Sequence, residues 1–155
     1  MKIFALINIM ALAITLLPAV SLANDITADD LSPLTGDALT ETFKGVTMHG
    51  TYKSPRERTG TSAFTETFNA DGTTHYSEGK ITDTGNWVVT GNTICFAYNG
   101  ELMGGTSCFN VFRAGNCYYS YGLGQLKSGY PVRPNSWSAK TIVKGEYNTC
   151  DDLVS

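Results

Sequence analysis

Phe64-Thr65-Glu66-Thr67-Phe68-Asn69-Ala70-Asp71-Gly72-Thr73-Thr74-His75-Tyr76 is the stretch that decides the fold. Two runs rich in Phe, Thr and Tyr flank a four-residue Asn-Ala-Asp-Gly break. β-Branched and aromatic residues suit a half-buried pleated surface, and glycine supplies the positive φ of a tight turn. The reading is a β-hairpin, with strands over 61–68 and 73–79. The same punctuation recurs along the chain. Gly91-Asn92 separates strands at 84–90 and 93–99, and Ala114-Gly115-Asn116 separates strands at 106–113 and 117–122. Further strands are expected at 46–53 and 137–147. Successive tight turns place consecutive strands side by side and antiparallel. The chain therefore reads as all-β, a meander of seven or eight strands. An open sheet would leave edges and one face exposed, so the meander must close into a small barrel or a two-layer sandwich.

Before the first strand, Thr35 to Lys44 can form one short helix. Thr35 stands as N-cap, Leu39 and Phe43 share a face, and Gly45 is the stop. Asn24 to Leu34 is polar and reads as a flexible lead-in, and 35–155 as a single domain. Leu123 to Asn135 lacks alternation and reads as a long loop.

Residues 1–23 have the pattern of a removable export signal. Lys2 is followed by an apolar run from Ile3 to Val20, then Ser21-Leu22-Ala23, which places cleavage between Ala23 and Asn24. The expected location is the bacterial periplasm or the exterior. No Asn-x-Ser/Thr acceptor supports a glycosylated origin. The mature chain has no second long apolar run, so no membrane span is expected in it. The whole chain carries a net charge of −3. Loss of Lys2 leaves ten basic against fourteen acidic side chains. That balance disfavours nucleic acid and anionic membranes. Lys53, Arg56 and Arg58 form the one basic cluster, interrupted by Pro55 and Glu57, and read as a solvated loop.

Four cysteines in an oxidising compartment imply two disulfides and allow three pairings. In the strand around Ile94, Phe96 and Tyr98, Cys95 points to the opposite face from the rings. Cys108 points away from Phe109 and Val111 in the same sense. A hairpin centred between Glu101 and Leu102 sets Cys95 opposite Cys108, leaving Cys117 for Cys150. Cys-x-x-Cys is absent and the spacings suit no zinc site.

The chemistry-bearing residues are few. His49 and His75 stand alone among strand residues, and the Asp71 turn lacks the later ligands of a calcium loop. No nucleophile elbow, zincin helix or phosphate loop occurs, so no catalytic residue, metal or cofactor is expected. Glu66 is the exception, because alternation sets it on the same face as Phe64 and Phe68. If that face is inward, Glu66 is a buried acid able to hold a polar group of a ligand. The candidate ligand-binding set is Glu66, Phe64, Phe68, Trp87, Phe96 and Tyr98. The expected function is non-enzymatic binding of a small apolar ligand or an envelope protein. The alternatives are an inhibitor of a secreted protease, then an enzyme whose site would use His49, His75 or Glu66.

The ordered set Phe43-Lys44-Gly45-Val46-Thr47, Phe68-Asn69-Ala70-Asp71-Gly72-Thr73, Gly85-Asn86-Trp87, Ile94-Cys95 and Cys108-Phe109 resembles a family of small exported proteobacterial proteins. The family is mainly alphaproteobacterial and is known only as a domain of unknown function. The resemblance spans about residues 35–122. It implies export and supplies no catalytic residues. The Asp-Gly turn followed by Gly-x-Trp is also similar to lipocalin-like, calycin-type barrels, which implies a barrel and a binding role. A small exported barrel with a Trp strand and a nearby disulfide is similar, more distantly, to bacterial inhibitors of secreted metalloproteases. In those the N-terminal arm enters the protease, a part Asn24–Pro33 would play here.

Overall fold

A computed structural model describes residues 25–100 and 104–146. The expected export segment, the expected tip of the Cys95–Cys108 hairpin and Cys150 lie outside the described residues. The elements in chain order begin with strand β1 (Ser32–Pro33), helix α1 (Gly36–Phe43), β2 (Thr47–Tyr52), β3 (Ala63–Phe68) and β4 (Thr73–Glu78). They continue with β5 (Ile81–Thr90), β6 (Thr93–Tyr98), β7 (Gly105–Ala114) and β8 (Cys117–Gly122). The last are β9 (Leu126–Lys127), β10 (Tyr130–Pro131) and β11 (Ala139–Val143).

Strands β2 to β8 pair consecutively and antiparallel, as the turn residues require. The turn between β3 and β4 is built as its sequence implies. Gly72 has φ +86°, and the Asp71 carboxylate accepts from the Thr73 amide at 2.9 Å and the Thr73 hydroxyl at 2.7 Å. β5 starts three residues before its expected position, because Gly79-Lys80 forms a turn tight enough to pair Glu78 with Ile81. β11 then inserts between β8 and β2, pairing Ala139 with both Ser120 and Tyr52. That insertion closes the meander into an eight-stranded barrel.

The lower end of the barrel is stoppered by α1. Leu39 and Phe43 are buried, and the Phe43 ring lies 5.0 Å from Phe68 and 6.0 Å from Tyr118. Thr35 has the extended backbone of an N-cap but makes no side-chain capping bond, whereas Gly45 takes φ +76° at the stop. Met48, Trp87, Ile94 and Val111 complete this lower core.

A second apolar cluster lies outside the barrel wall. On β8, Tyr118 faces in while Cys117, Tyr119 and Tyr121 face out, yet all are buried. The cover is the 123–138 segment. It is not a featureless loop but carries two 3₁₀ turns and the β9–β10 hairpin, so that Leu126 and Trp137 pack on the outer rings. Gln125 fastens it, accepting from the Gly122 amide at 2.6 Å and the Ser138 hydroxyl at 3.0 Å and donating to the Ser136 carbonyl. The same outer cluster takes Leu31, and β1 pairs Ser32 and Pro33 with Arg113 and Phe112 of β7. The end of the expected flexible lead-in is thus held against the barrel.

Cys95 and Cys108 are directly opposite in the β6–β7 register and are joined as a disulfide on the outer face. They are separated by 13 residues, so replacing both by alanine should lower the unfolding free energy by about 3 kcal/mol, read from urea denaturation. Cys117 is buried at the base of β8, and the expected Cys117–Cys150 bridge falls on residues outside those described.

Candidate functional site: a buried carboxyl in an aromatic chamber

The upper half of the barrel is lined differently from the lower. Alternation turns Phe64, Glu66 and Phe68 of β3 inward together, and Thr74, Tyr76 and Glu78 of β4 beside them. Two carboxyls are therefore folded into the interior, and they are handled in opposite ways.

Glu78 is fully buried and paired. Arg58, from the segment joining β2 to β3, donates from Nη2 to Oε2 at 2.6 Å. The Thr59 hydroxyl donates to Oε1, and the Tyr76 hydroxyl donates to Oε2 at 2.5 Å. Since Tyr76 spends its hydrogen on Glu78, the Tyr52 hydroxyl, 2.8 Å from that of Tyr76, is the donor between the two phenols. Burial by itself would raise the Glu78 pKa. The Arg58, Thr59 and Tyr76 donors outweigh it and hold the carboxyl below its usual range. This network straps the 53–62 segment across the barrel mouth, and the Arg56 guanidinium stacks 3.8 Å from the Tyr52 ring centre.

Glu66 is 5 % exposed and has no cation partner among the described residues. Its Oε1 accepts from the Tyr98 hydroxyl at 2.5 Å and from Thr74 Oγ1 at 2.9 Å. Burial raises its pKa to about 7, against the smaller opposing effect of those two hydroxyls. The phenol of Tyr98 is pushed well up by burial and by the Glu66 charge, so it stays a donor. Thr74 Oγ1 also lies 2.9 Å from the Thr67 carbonyl. One hydroxyl hydrogen cannot serve both acceptors. When it goes to Thr67, a neutral Glu66 can donate to Thr74.

Both donors converge on Oε1, and Oε2 has no hydrogen-bond partner among the described residues. No buried side-chain oxygen or nitrogen among those residues is left unsatisfied, so Oε2 must keep an open face. It opens on a cavity of about 110 Å³. Phe64, Phe68, Phe96, Tyr98 and Phe109 form its walls, and Tyr52 and Arg56 stand at its mouth. Ser120, Ala139 and Thr141 line the side that β8 and β11 supply.

Five of the six expected ligand-binding residues thus meet at one cavity. Trp87 does not. It belongs to the lower core, where its indole donates to the Asn69 carbonyl at 3.0 Å. Tyr52, Phe109 and Arg56, outside the expected ligand-binding set and Arg56 expected in a solvated loop, complete the chamber, and alternation from Met48 through Gly50 was the available signal for Tyr52. His49 and His75 are exposed on the outer wall, with His49 Nδ1 3.3 Å from the Thr65 hydroxyl, and neither approaches Glu66. No cluster of three or more possible metal ligands occurs among the described residues.

Gly50 makes room for this wall. The Phe64 ring lies flat over it, stacked between Tyr52 at 4.6 Å and Tyr76 at 5.7 Å, and a Cβ at position 50 would fall 2.2 Å from the ring. Gly50→Ala should displace Phe64 and cost about 1–3 kcal/mol, measured by thermal or urea unfolding.

A wider, shallow groove of about 690 Å³ runs outside the mouth between the 53–58 segment and Trp137. The ammonium groups of Lys53 and Lys140 lie 5.5 and 5.6 Å from the Trp137 ring centre.

Comparison with protein-family models, with characterised proteins and with solved structures returns no match for this chain. Fold and site define the class directly: a small eight-stranded up-and-down β-barrel with a carboxyl sunk in its ring-lined interior.

Proposed function

We propose that this is an exported binding protein that takes a small ligand into the upper chamber of its barrel and holds one polar group of it on Glu66. The observation that carries the reading is Glu66 Oε2, a carboxylate oxygen in the protein interior with no donor among the described residues and an open face on the cavity. Burying a carboxyl costs stability unless something satisfies it, and interior sites of this kind are where ligands are held. The Cys95–Cys108 bridge supports an oxidising location.

Size restricts the ligand. A volume of about 110 Å³ falls short of the roughly 300–1,000 Å³ that drug-sized ligands fill, and it suits a molecule of about four to seven non-hydrogen atoms. A fatty acid or other long lipid does not fit this chamber.

Native mass spectrometry of protein purified from a periplasm tests the reading. Wild type is expected to carry an added mass below about 150 Da that leaves on denaturation. Ala139→Leu, which fills the chamber from β11, should abolish it while leaving the melting temperature nearly unchanged. A bare wild-type chain with every small molecule tried would overturn the proposal.

A second reading, docking of an envelope protein, is favoured by one observation. Leu123, Tyr130 and Val132 all stand more than half exposed on the 123–138 segment. The inhibitor alternative has less support, because Leu31 is buried and Ser32-Pro33 are paired, which anchors the C-terminal end of the arm it needs.

A further inference from the structure

We infer that the ligand of this chamber is a small alkylammonium ion, such as a methylated amine, seated among the rings with its charge against the open oxygen of Glu66. The inference rests on the binding reading above and names the chemical class.

Three observations on different elements point the same way. The first is charge. The barrel interior holds two carboxyls, Glu66 and Glu78, and the Arg58 guanidinium is bound to Glu78. Tyr98 and Thr74 supply only neutral hydroxyls to Glu66, so an ionised Glu66 has no cation in contact with it among the described residues, Arg56 standing at the mouth. A neutral ligand would leave that charge uncompensated, and an anion would double it.

The second is the wall. Phe64, Phe68, Phe96, Tyr98 and Phe109 come from β3, β6 and β7 and enclose the space on several sides. The faces of aromatic rings carry the negative end of their quadrupole and attract a cation, the more so where it is desolvated. Aromatic enclosures with a nearby carboxylate suit methylated ammonium groups, which are weakly hydrated and lose little on leaving water.

The third is the hydrogen-bond pattern. Oε1 lies against the Tyr98 and Thr74 hydroxyls while Oε2 has no partner among the described residues, and Glu66 lines the cavity. The remaining small polar side chains that line the cavity, Ser107, Ser120 and Thr141, are hydroxyls and add no charge. Among the described residues Arg56 is the cation that lines the cavity, placed at its mouth and stacked on Tyr52. It opposes entry of a cation without contacting Glu66.

The probe is tetramethylammonium chloride, titrated calorimetrically and by ligand-detected NMR at pH 8 against sodium chloride of equal ionic strength. tert-Butanol, with the same number of non-hydrogen atoms and no charge, is the control. Wild type should bind tetramethylammonium at least ten-fold more tightly than tert-butanol. Glu66→Gln can still accept from Tyr98 and Thr74, so it should remain folded by circular dichroism and lose at least ten-fold in tetramethylammonium affinity. Arg56→Gln should tighten binding. If tert-butanol binds wild type and Glu66→Gln equally well and tetramethylammonium does not bind, the cation class is overturned while the interior pocket stands. Weakened tetramethylammonium binding in Arg56→Gln would mean that Arg56 does not oppose a cation in the chamber, and would also overturn the class. If neither molecule binds wild type, the class falls, and the pocket is then decided separately by the native mass spectrum.

Discussion

Replacing Arg58 by methionine is expected to lower the unfolding free energy by about 3 kcal/mol at pH 7. Glu78 has no exposed surface, and Arg58 is its one ion-pair partner among the described residues. Removing one member of a buried pair strands the other, which costs more than the pair ever contributed net. The expected loss sits at the low end of the usual range because the Arg58 side chain is itself 25 % exposed. The pH dependence identifies the cause. In wild type the folded Glu78 pKa is below its ordinary value, so its contribution is present above about pH 4.5 and is lost as pH falls through the folded value. In the variant only the Thr59 and Tyr76 hydroxyls oppose burial, so the folded pKa moves above the ordinary one. Stability is then lost as pH rises. The two curves should draw together as pH falls below about 4.5 toward the folded Glu78 value and separate by pH 7 in urea titrations followed by tryptophan fluorescence. Arg58→Met with Glu78→Met together should recover much of the loss. A deficit that stays constant from pH 4 to 7 would mean that Arg58 acts through packing rather than charge.

The strap that Arg58 makes was not legible in the sequence, although half of it was in plain view. Thr74-x-Tyr76-x-Glu78 alternates just as Phe64-x-Glu66-x-Phe68 does, so Glu78 could have been placed inward on the same ground as Glu66. Its partners come from a segment without periodicity, where sequence gives no direction for a side chain. The meander was readable because each pairing from β2 to β8 joins neighbours in the chain, most across a short turn marked by glycine. Closure was not, since it depends on Ala139–Val143 finding Thr47–Tyr52, a pairing with no local signal. The Cys95–Cys108 bond was legible because period-two alternation fixes which face a cysteine occupies, and register then does the rest. Alternation does not encode height along the barrel. For that reason Trp87 shares the inner surface with Phe96 and Tyr98 yet sits in the plugged lower core. Nor does it show that an outer face is covered, as Tyr119 and Tyr121 are by the Gln125-fastened segment.

Glu66→Gln is expected to stabilise the protein by about 3 kcal/mol at pH 8 and to change it by less than about 1 kcal/mol at pH 4. The folded carboxyl titrates near 7 against an ordinary value of 4.5. Between those values the native state holds a proton that the unfolded chain has released, so stability falls as pH rises from about 4.5 to about 7 and is level above. Glutamine has the same shape, can accept from Tyr98 and Thr74, and does not titrate. The groups facing Glu66 do not confuse the reading. Tyr98 on β6, Tyr76 on β4 and Tyr52 on β2 are phenols whose ionisation burial pushes upward, and Thr74 is neutral. Glu78 titrates in the opposite sense at lower pH, and it does so in both proteins, so it cancels in the difference. Chemical denaturation at pH 4, 6 and 8 measures that difference, and a value independent of pH would refute the assignment. The same arithmetic ties stability to binding. At pH 8 the empty wild-type barrel carries the cost of an ionised carboxylate with an open oxygen, and a cation that binds only the folded state lowers that cost as its concentration exceeds its Kd. Saturating tetramethylammonium should therefore raise wild-type stability at pH 8 toward that of Glu66→Gln and should have almost no effect at pH 4, where the carboxyl is already neutral.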